Sequence, residues 1–260
     1  MQLPWFPKPI YRSIYLAMVL ALSGCGWFIW SASPGWLLLF LVIILFSAFI
    51  LIGSSFIICS GVYVTSICKG TSHCNKIALT FDDGPCEQTK EILNVLNKYK
   101  VKATFFLIGR QVALHRDIVY EMVQKQHTLG NHSYDHTIWF PLIGRDRIKN
   151  QLITTQVAIA SISGSKPVYF RPPFGVTNPF IAKALKGLNL KTIGWSLRSF
   201  DSKEKNPGKT IQRIKNKVGP GSIVLMHDRS KDAAVVLEQL LIYCLEEQLV
   251  PVTLDELLND

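Results

Sequence analysis

The sequence predicts an α/β fold, a parallel sheet closed or nearly closed into a (β/α) barrel, preceded by one or two transmembrane helices. Three observations predict it. After residue 75, apolar runs of strand length alternate with runs of helical periodicity to the end of the chain. Such alternation builds a parallel sheet, because each parallel crossover carries a covering helix. Ionisable side chains stand at the ends of several of these strand-like runs, the pattern of a barrel with its site at one mouth. Finally, Ile14 to Val64 contains no charged side chain.

That uncharged tract holds two candidate spans. The first, about 14–30, lies near the lower length limit of about 17–25 residues for a membrane helix. SASPG (31–35) breaks it, and the second runs over 36–59. Trp27, Trp30 and Trp36 cluster at the break, where an interfacial aromatic belt would sit. LSGC (22–25) resembles a lipobox, but GWFIW continues the apolar run, so the segment reads as a span. A cleaved signal peptide fits less well, because a second long apolar run follows at once. The expected division is an anchor over 1–60, a linker over 61–75 and a catalytic domain over 76–260. Lys8 and Arg12 precede the spans, and Lys69 and Lys76 follow them. With two crossings, the positive-inside rule puts the domain on the cytoplasmic side; with one crossing, it lies outside. The expected location is an integral membrane protein, multi-pass, with the domain inside.

The 260 residues carry a net charge of +10, and every acid follows the anchor. Attraction to anionic membrane lipids accounts for the basic balance. Nucleic acid is not expected as a partner, since no Arg/Lys-rich arm or basic-aromatic motif is present. The six cysteines show no CxxC pair and no zinc-finger spacing, which argues against a disulfide framework and is compatible with a reducing compartment.

The expected strands are 76–81, 103–109, 127–132, 167–172, 191–197, 222–227 and 249–254. The expected helices are 88–99, 115–126, 145–161, 178–187, 207–218 and 231–247, several with apolar residues at i, i+3, i+4 and i+7. A doubly wound open sheet is the alternative, but no phosphate-binding glycine fingerprint follows the first strand.

The polar residues converge on one end. The first strand runs into Asp82-Asp83, the third into His132 and His136 (HSYDH), and the fourth into Arg171 (RPPFG). The fifth leads to Arg198 and Asp201, and the sixth to His227-Asp228. One carboxylate and two imidazoles make a metal site with positions left for water or substrate. His132 and His136 would share a face if HSYDH formed one helical turn. Paired histidines in loops are more often surface or capping residues, but these follow a strand and face an acidic pair. Asp82 and Asp83 are explained if one binds the metal and the other faces water. An Asx turn or helix cap would need only one of them.

TFDDGP, HSYDH, RPPFG, WSLRSFD and LMH, in this order, resemble the polysaccharide deacetylase (NodB-homology, carbohydrate esterase family 4) domain, over about residues 74–256. The resemblance implies a distorted (β/α)7 barrel and metal-dependent removal of N-acetyl groups from amino sugars. It implies Asp82 as catalytic base and Asp83, His132 and His136 as metal ligands. Arg171 would hold Asp82, His227 would be the general acid, and Asp201 its partner. A divalent ion is expected, Zn²⁺ first, with Co²⁺ and Ni²⁺ as alternatives. Three positions depart from the family pattern: Phe174 for a frequent Tyr, Arg198 for a frequent acid, and Ser202 for a frequent Trp. Cys86 beside the metal loop reads as a turn residue rather than a thiolate ligand.

The leading expectation is a hydrolase of amide bonds that deacetylates GlcNAc-type amino sugars in a glycan or glycolipid. A deformylase or deacetylase of a lipid-linked sugar at the inner membrane face is the alternative, and an inactive sugar-binding protein is the other. No G-x-S-x-G elbow supports a serine hydrolase.

Overall fold

The computed structural model describes residues 34–71, 75–204 and 206–259. The expected first span, the lipobox-like LSGC with Cys25, and Trp27 and Trp30 lie outside the described residues. α1 (Pro34–Ser55) has 22 residues. At 1.5 Å per residue it is about as long as a bilayer core is thick. Leu38, Leu45, Phe46, Phe49 and Ile52 stand exposed on it, as they would against lipid. It is the one helix among the described residues long and apolar enough to cross a membrane.

α1 ends four residues before the expected boundary, and Cys59 belongs to a short 3-10 turn, Ile58–Ser60, outside it. Gly61 then reverses the chain in the left-handed region, φ 69°. Tyr63 Oη donates to Leu51 O (3.0 Å), and Thr177 N donates to Ser55 O (2.9 Å), so the foot of α1 is tied to the domain. The expected linker is not featureless. It contains β1 (Ser66–Ile67), and Cys68 forms a disulfide with Cys59 across nine residues. This corrects the reading of the cysteines. Their spacing carries no motif, and the pair forms only because the chain folds back on itself after α1.

β2 (Lys76–Asp82) is the central strand. It is followed by α2 (Glu87–Lys98), β3 (Thr104–Leu107), α3 (Gly109–Leu114), α4 (Arg116–Gln124) and β4 (Thr128–Asn131). Then come α5 (Arg145–Ser163), β5 (Tyr169–Phe170), α6 (Pro179–Ala184), β6 (Lys191–Ile193) and β7 (Leu197–Arg198). The chain closes with α7 (Pro207–Lys215), β8 (Ile223–His227), α8 (Ala233–Glu246), β9 (Val250–Val252) and α9 (Leu254–Leu258).

Among the described residues the sheet has nine strands, ordered β1-β6-β5-β4-β3-β2-β8-β7, with β9 beside β2, and its strand ladders are all parallel. The expected strand over 191–197 is broken in two. β6 pairs with β5, and β7, after Gly194-Trp195-Ser196, pairs with β8. One segment thus touches both ends of the curled sheet and makes it a distorted barrel.

Alternation along β2 decides what lies where. Ile77, Leu79 and Phe81 belong to the main core with Ile92 and Leu96 of α2 and Leu237 and Leu240 of α8. Phe81 stacks on Phe105 at 5.1 Å. The even positions turn the other way. Ala78 packs with Phe106, Ile193 and Ile223, over which Leu254 and Leu257 of α9 close. Thr80 and Asp82 continue that inner row toward the carboxyl ends of the strands, where barrel sites are built.

Candidate active site

The two carboxylates reach one space by different routes. Asp82 is still in β2, paired with Phe106 on one side and His227 on the other, and so keeps the inward direction of Thr80. Continued alternation would aim Asp83 outward. Its backbone instead takes φ 77°, and the side chain swings back beside its neighbour. The expectation that the strand stops at Phe81 is corrected by one residue. A side chain at Gly84 would run into the Asp228 carboxylate, which explains the glycine that follows.

Arg171 lies fully buried under Asp82. Its Nη1 donates to Asp82 Oδ1 (2.8 Å) and to Thr80 Oγ1 (2.8 Å). Nη2 donates to Gly194 O (2.9 Å) and Nε to Ile193 O (3.3 Å). The guanidinium also faces the Phe106 ring, 4.1 Å from its centroid. One oxygen of Asp82 is thereby fixed. The other, Oδ2, lies 3.8 Å from His132 Nε2 at the edge of the cavity.

His132 follows β4 and is buried. Its Nδ1 lies 2.7 Å from Arg171 O. A carbonyl only accepts, so Nδ1 carries a hydrogen, which leaves Nε2 as the atom that would meet an ion. His132 Nε2 lies 3.5 Å from Asp83 Oδ1, and His136 Nε2 lies 3.3 Å from the same oxygen. HSYDH is not the expected helical turn. Ser133 (φ 64°) and His136 (φ 52°) take left-handed conformations, and the loop is pinned from within. Asn131 Oδ1 accepts from Ser133 N (2.9 Å), and Ser133 Oγ accepts from His136 N (3.2 Å). The histidines still converge, with ring centroids 4.7 Å apart.

Ligand atoms of Asp83, His132 and His136 all lie within 4.8 Å of one another. One anion and two imidazoles, the first oriented by a carbonyl, suit a divalent ion. Cys86 is not in this group. Its Sγ lies 3.6 Å from Thr89 Oγ1 at the cap of α2, and burial pushes the thiol up. Burial alone would raise the Asp83 carboxyl. The hydrogen bond to His132 and the charges of the histidines outweigh it and hold the group below the usual carboxylate range. His136 is pushed down to about 4 by burial and by His132.

Next to Asp82, at the end of the neighbouring strand β8, stands His227, with Asp201 against it. His227 Nδ1 lies 2.7 Å from Asp201 Oδ1, and its backbone N donates to Oδ2 (2.8 Å). Ser199 Oγ donates to Asp201 Oδ1 (2.7 Å). Burial acts against the imidazolium, but Asp201 outweighs it and raises the His227 pKa. The cavity these groups line has a volume of about 210 Å³ and is also lined by Phe174, Trp195, Arg198 and Lys203. Every residue named as a site candidate from the sequence therefore faces this cavity or orients one that does.

Sequence reasoning missed two supports. Thr80 shares the Arg171 fork, and Ser199 holds Asp201. Asp228, placed at the end of the sixth strand from the sequence but given no role, is fully buried beneath Gly84, accepts from Thr89 Oγ1 (2.6 Å) and is pushed up to about 7, by burial first. The inward alternation of β2 is the signal that could have found Thr80. Nothing local marks Ser199.

Residues 69–193 match the family model described as polysaccharide deacetylase. The chain is 34% identical over 205 residues to the peptidoglycan-N-acetylglucosamine deacetylase PgdA of Listeria monocytogenes, covering 77% of this chain and 42% of that protein. It is 33% identical over 208 residues to a chitin deacetylase of Pestalotiopsis, covering 77% and 70%. The chain thus spans less than half of the Listeria protein. Among solved structures, the Bc1960 peptidoglycan N-acetylglucosamine deacetylase superposes with TM-score 0.70 at 28% identity, covering 74% of this chain and 92% of that one. The Bacillus anthracis protein BA3943, described as a family pseudoenzyme, superposes with TM-score 0.68 at 32% identity, covering 74% and 68%.

Proposed function

Because this chain belongs to the polysaccharide deacetylase family, we propose that it is a metal-dependent N-deacetylase that hydrolyses the acetamide of GlcNAc-type amino sugars. The observation that carries the reading is the arrangement of one cavity. Asp82, the Asp83–His132–His136 group and His227, backed by Asp201, meet around it. The ion, Zn²⁺ by the character of its ligands, would be held by Asp83, His132 and His136. When bound, it supplies Lewis acidity toward the amide carbonyl and lowers the pKa of water.

The chain's own residues divide the proton work. Arg171 occupies Asp82 Oδ1, so Oδ2 is the oxygen that takes a proton from the attacking water. His227, hydrogen-bonded through Nδ1 to Asp201, turns Nε2 to the cavity and delivers a proton to the departing amine. Asp201 raises its pKa against the effect of burial, which favours the protonated form for that step. Phe174 stands in the left-handed region (φ 59°) with its ring 4.8 Å from His136. No backbone carbonyl among the described residues takes its N–H, which is the candidate donor to the oxyanion.

Two features support a placement of the domain outside the membrane. A Cys59–Cys68 disulfide belongs in an oxidising compartment. If α1 is the crossing segment, Lys8 and Arg12 before it would put the domain outside. On this reading the outer side is preferred to the cytoplasmic placement drawn from charge alone. Thr177, bonded to Ser55 of α1, is three residues from Phe174 in the cavity wall, so the site lies close to the foot of the anchor. That proximity favours a glycan or lipid-linked sugar at the membrane surface.

The test uses the full chain in detergent, stripped of metal and reloaded with Zn²⁺, with acetate and formate release measured from N-acylated amino-sugar oligomers. Metal-dependent acetate release that Asp82→Asn abolishes, with zinc still bound, is expected. Formate without acetate would change the acyl group. Zinc binding with neither acid released would favour a sugar-binding protein.

A further inference from the structure

The cavity contains a cation that the reaction described above leaves unused. Arg198 stands on β7, opposite Leu225 of β8, two residues from His227. Its guanidinium lies over Trp195 (5.7 Å) and Phe200 (5.0 Å). Its Nε is buried and has no hydrogen-bond partner. Buried guanidinium donors are normally satisfied, and an orphan beside a ligand cavity calls for an acceptor. No carboxylate among the described residues supplies one. Asp82 is held by Arg171, Asp83 sits between two histidines, and Asp201 is held by His227 and Ser199. Lys203 lines the same cavity and adds a second positive charge.

We infer that Arg198, with Lys203 beside it, is a subsite for an anionic group, carboxylate or phosphate, borne by the amino sugar close to its acylated nitrogen. The inference rests on the deacetylase reading and narrows its substrate class. A neutral sugar would leave the cation without a counter-charge. An anion offers paired oxygens to a planar guanidinium, and the rings of Trp195 and Phe200 beside it hold it in place without satisfying its donors. The position beside His227 puts this anion on the leaving-amine side of the site, on the sugar ring itself or on its anomeric carbon. A carboxylate would come from an acidic ether substituent, as in N-acetylmuramic acid. A phosphate would come from a sugar joined to a lipid carrier.

Binding decides this independently of turnover. The probes are two matched pairs, titrated calorimetrically against zinc-loaded full chain carrying Asp82→Asn. The first pair is N-acetylglucosamine and its 1-phosphate. The second is a neutral N-acetylglucosamine tetramer and a tetramer containing N-acetylmuramic acid. At least one anionic member should bind about ten- to a hundredfold tighter than its neutral partner, the scale of hydrogen bonds to a charged group. Arg198→Gln should erase that difference, and Arg198→Lys should keep part of it. A gain for the phosphate alone assigns the subsite to a lipid-linked sugar; a gain for the carboxylate alone assigns it to an acidic glycan. Absence of any anion preference, or a preference that survives Arg198→Gln, overturns the inference. So does an equal loss for neutral and anionic ligands in both variants, which marks a packing role. Acetate release by the wild-type chain reports separately on the deacetylase reading.

Discussion

At the scale of single residues, the site depends on a buried pair, Asp82 and Arg171, largely removed from water. Arg171 meets Asp82 from below, with every guanidinium nitrogen engaged. An ion pair of this kind gains little over an apolar pair of the same shape, yet breaking it leaves a bare buried charge. Arg171→Met should therefore cost about 3–5 kcal/mol of stability as well as activity. Arg171→Lys keeps the charge but cannot reach Asp82, Thr80 and two carbonyls at once. It should fold with a smaller loss and still turn over slowly, because Asp82 would no longer be oriented. Denaturant melts beside acetate release would separate the two effects. A lysine variant with full activity would show that charge alone matters at this position.

At the scale of elements, most strands and helices were legible because burial writes itself as periodicity. β2, β3, β8, α2, α5 and α8 lie within a residue or two of the expected runs. What was not legible has a physical reason in each case. The segment 191–197 reads as one strand because Thr192, Ile193, Trp195 and Leu197 give it strand-like residues along its length, but the barrel needs it to serve two neighbours, and it breaks at Gly194. The loop after β4 reads as a helical turn because its histidines are four apart. Their convergence depends instead on left-handed Ser133 and His136, pinned by Asn131 and by Ser133 itself. His127, just before β4, was invisible as a polar support. Its Nδ1 accepts from Ala103 N (3.1 Å), and its ring meets Phe105 edge-on. Burial pushes its pKa down to about 4. The folded pKa lies below the ordinary value of 6.5, so the unfolded chain takes the proton first as pH falls. The contribution is complete above 6.5 and is lost between there and about 4, amounting to at most about 3 kcal/mol. His127→Asn offers an acceptor in the same place without titrating. Its stability, measured by denaturation across pH 6.5 to 4, should lack one proton's worth of slope relative to wild type. An unchanged slope would remove His127 as the source.

At the scale of the whole molecule, the open question is which compartment the catalytic cavity faces, and two physical signals disagree about it. Charge counting treats Lys69 and Lys76 as cytoplasmic flanks, but it assumes two crossings and gives no weight to what lies between the second span and the domain. That interval is structured. The 3-10 turn, Gly61, Tyr63 and β1 bring Cys59 against Cys68, and the pair sits against Gly194, whose carbonyl accepts from Arg171. A bond placed there would be reduced in the cytoplasm and would persist outside it. The expected result is that, in intact spheroplasts, added protease degrades the domain. In protein denatured without reductant, Cys59 and Cys68 should escape maleimide until a reductant is added, while Cys86 and Cys244 react at once, since neither is bridged. Protection of the domain from protease, together with four reactive thiols among these positions, would restore the cytoplasmic placement. In that outcome the anchor crosses twice, and the substrate must be a sugar carried on the inner leaflet.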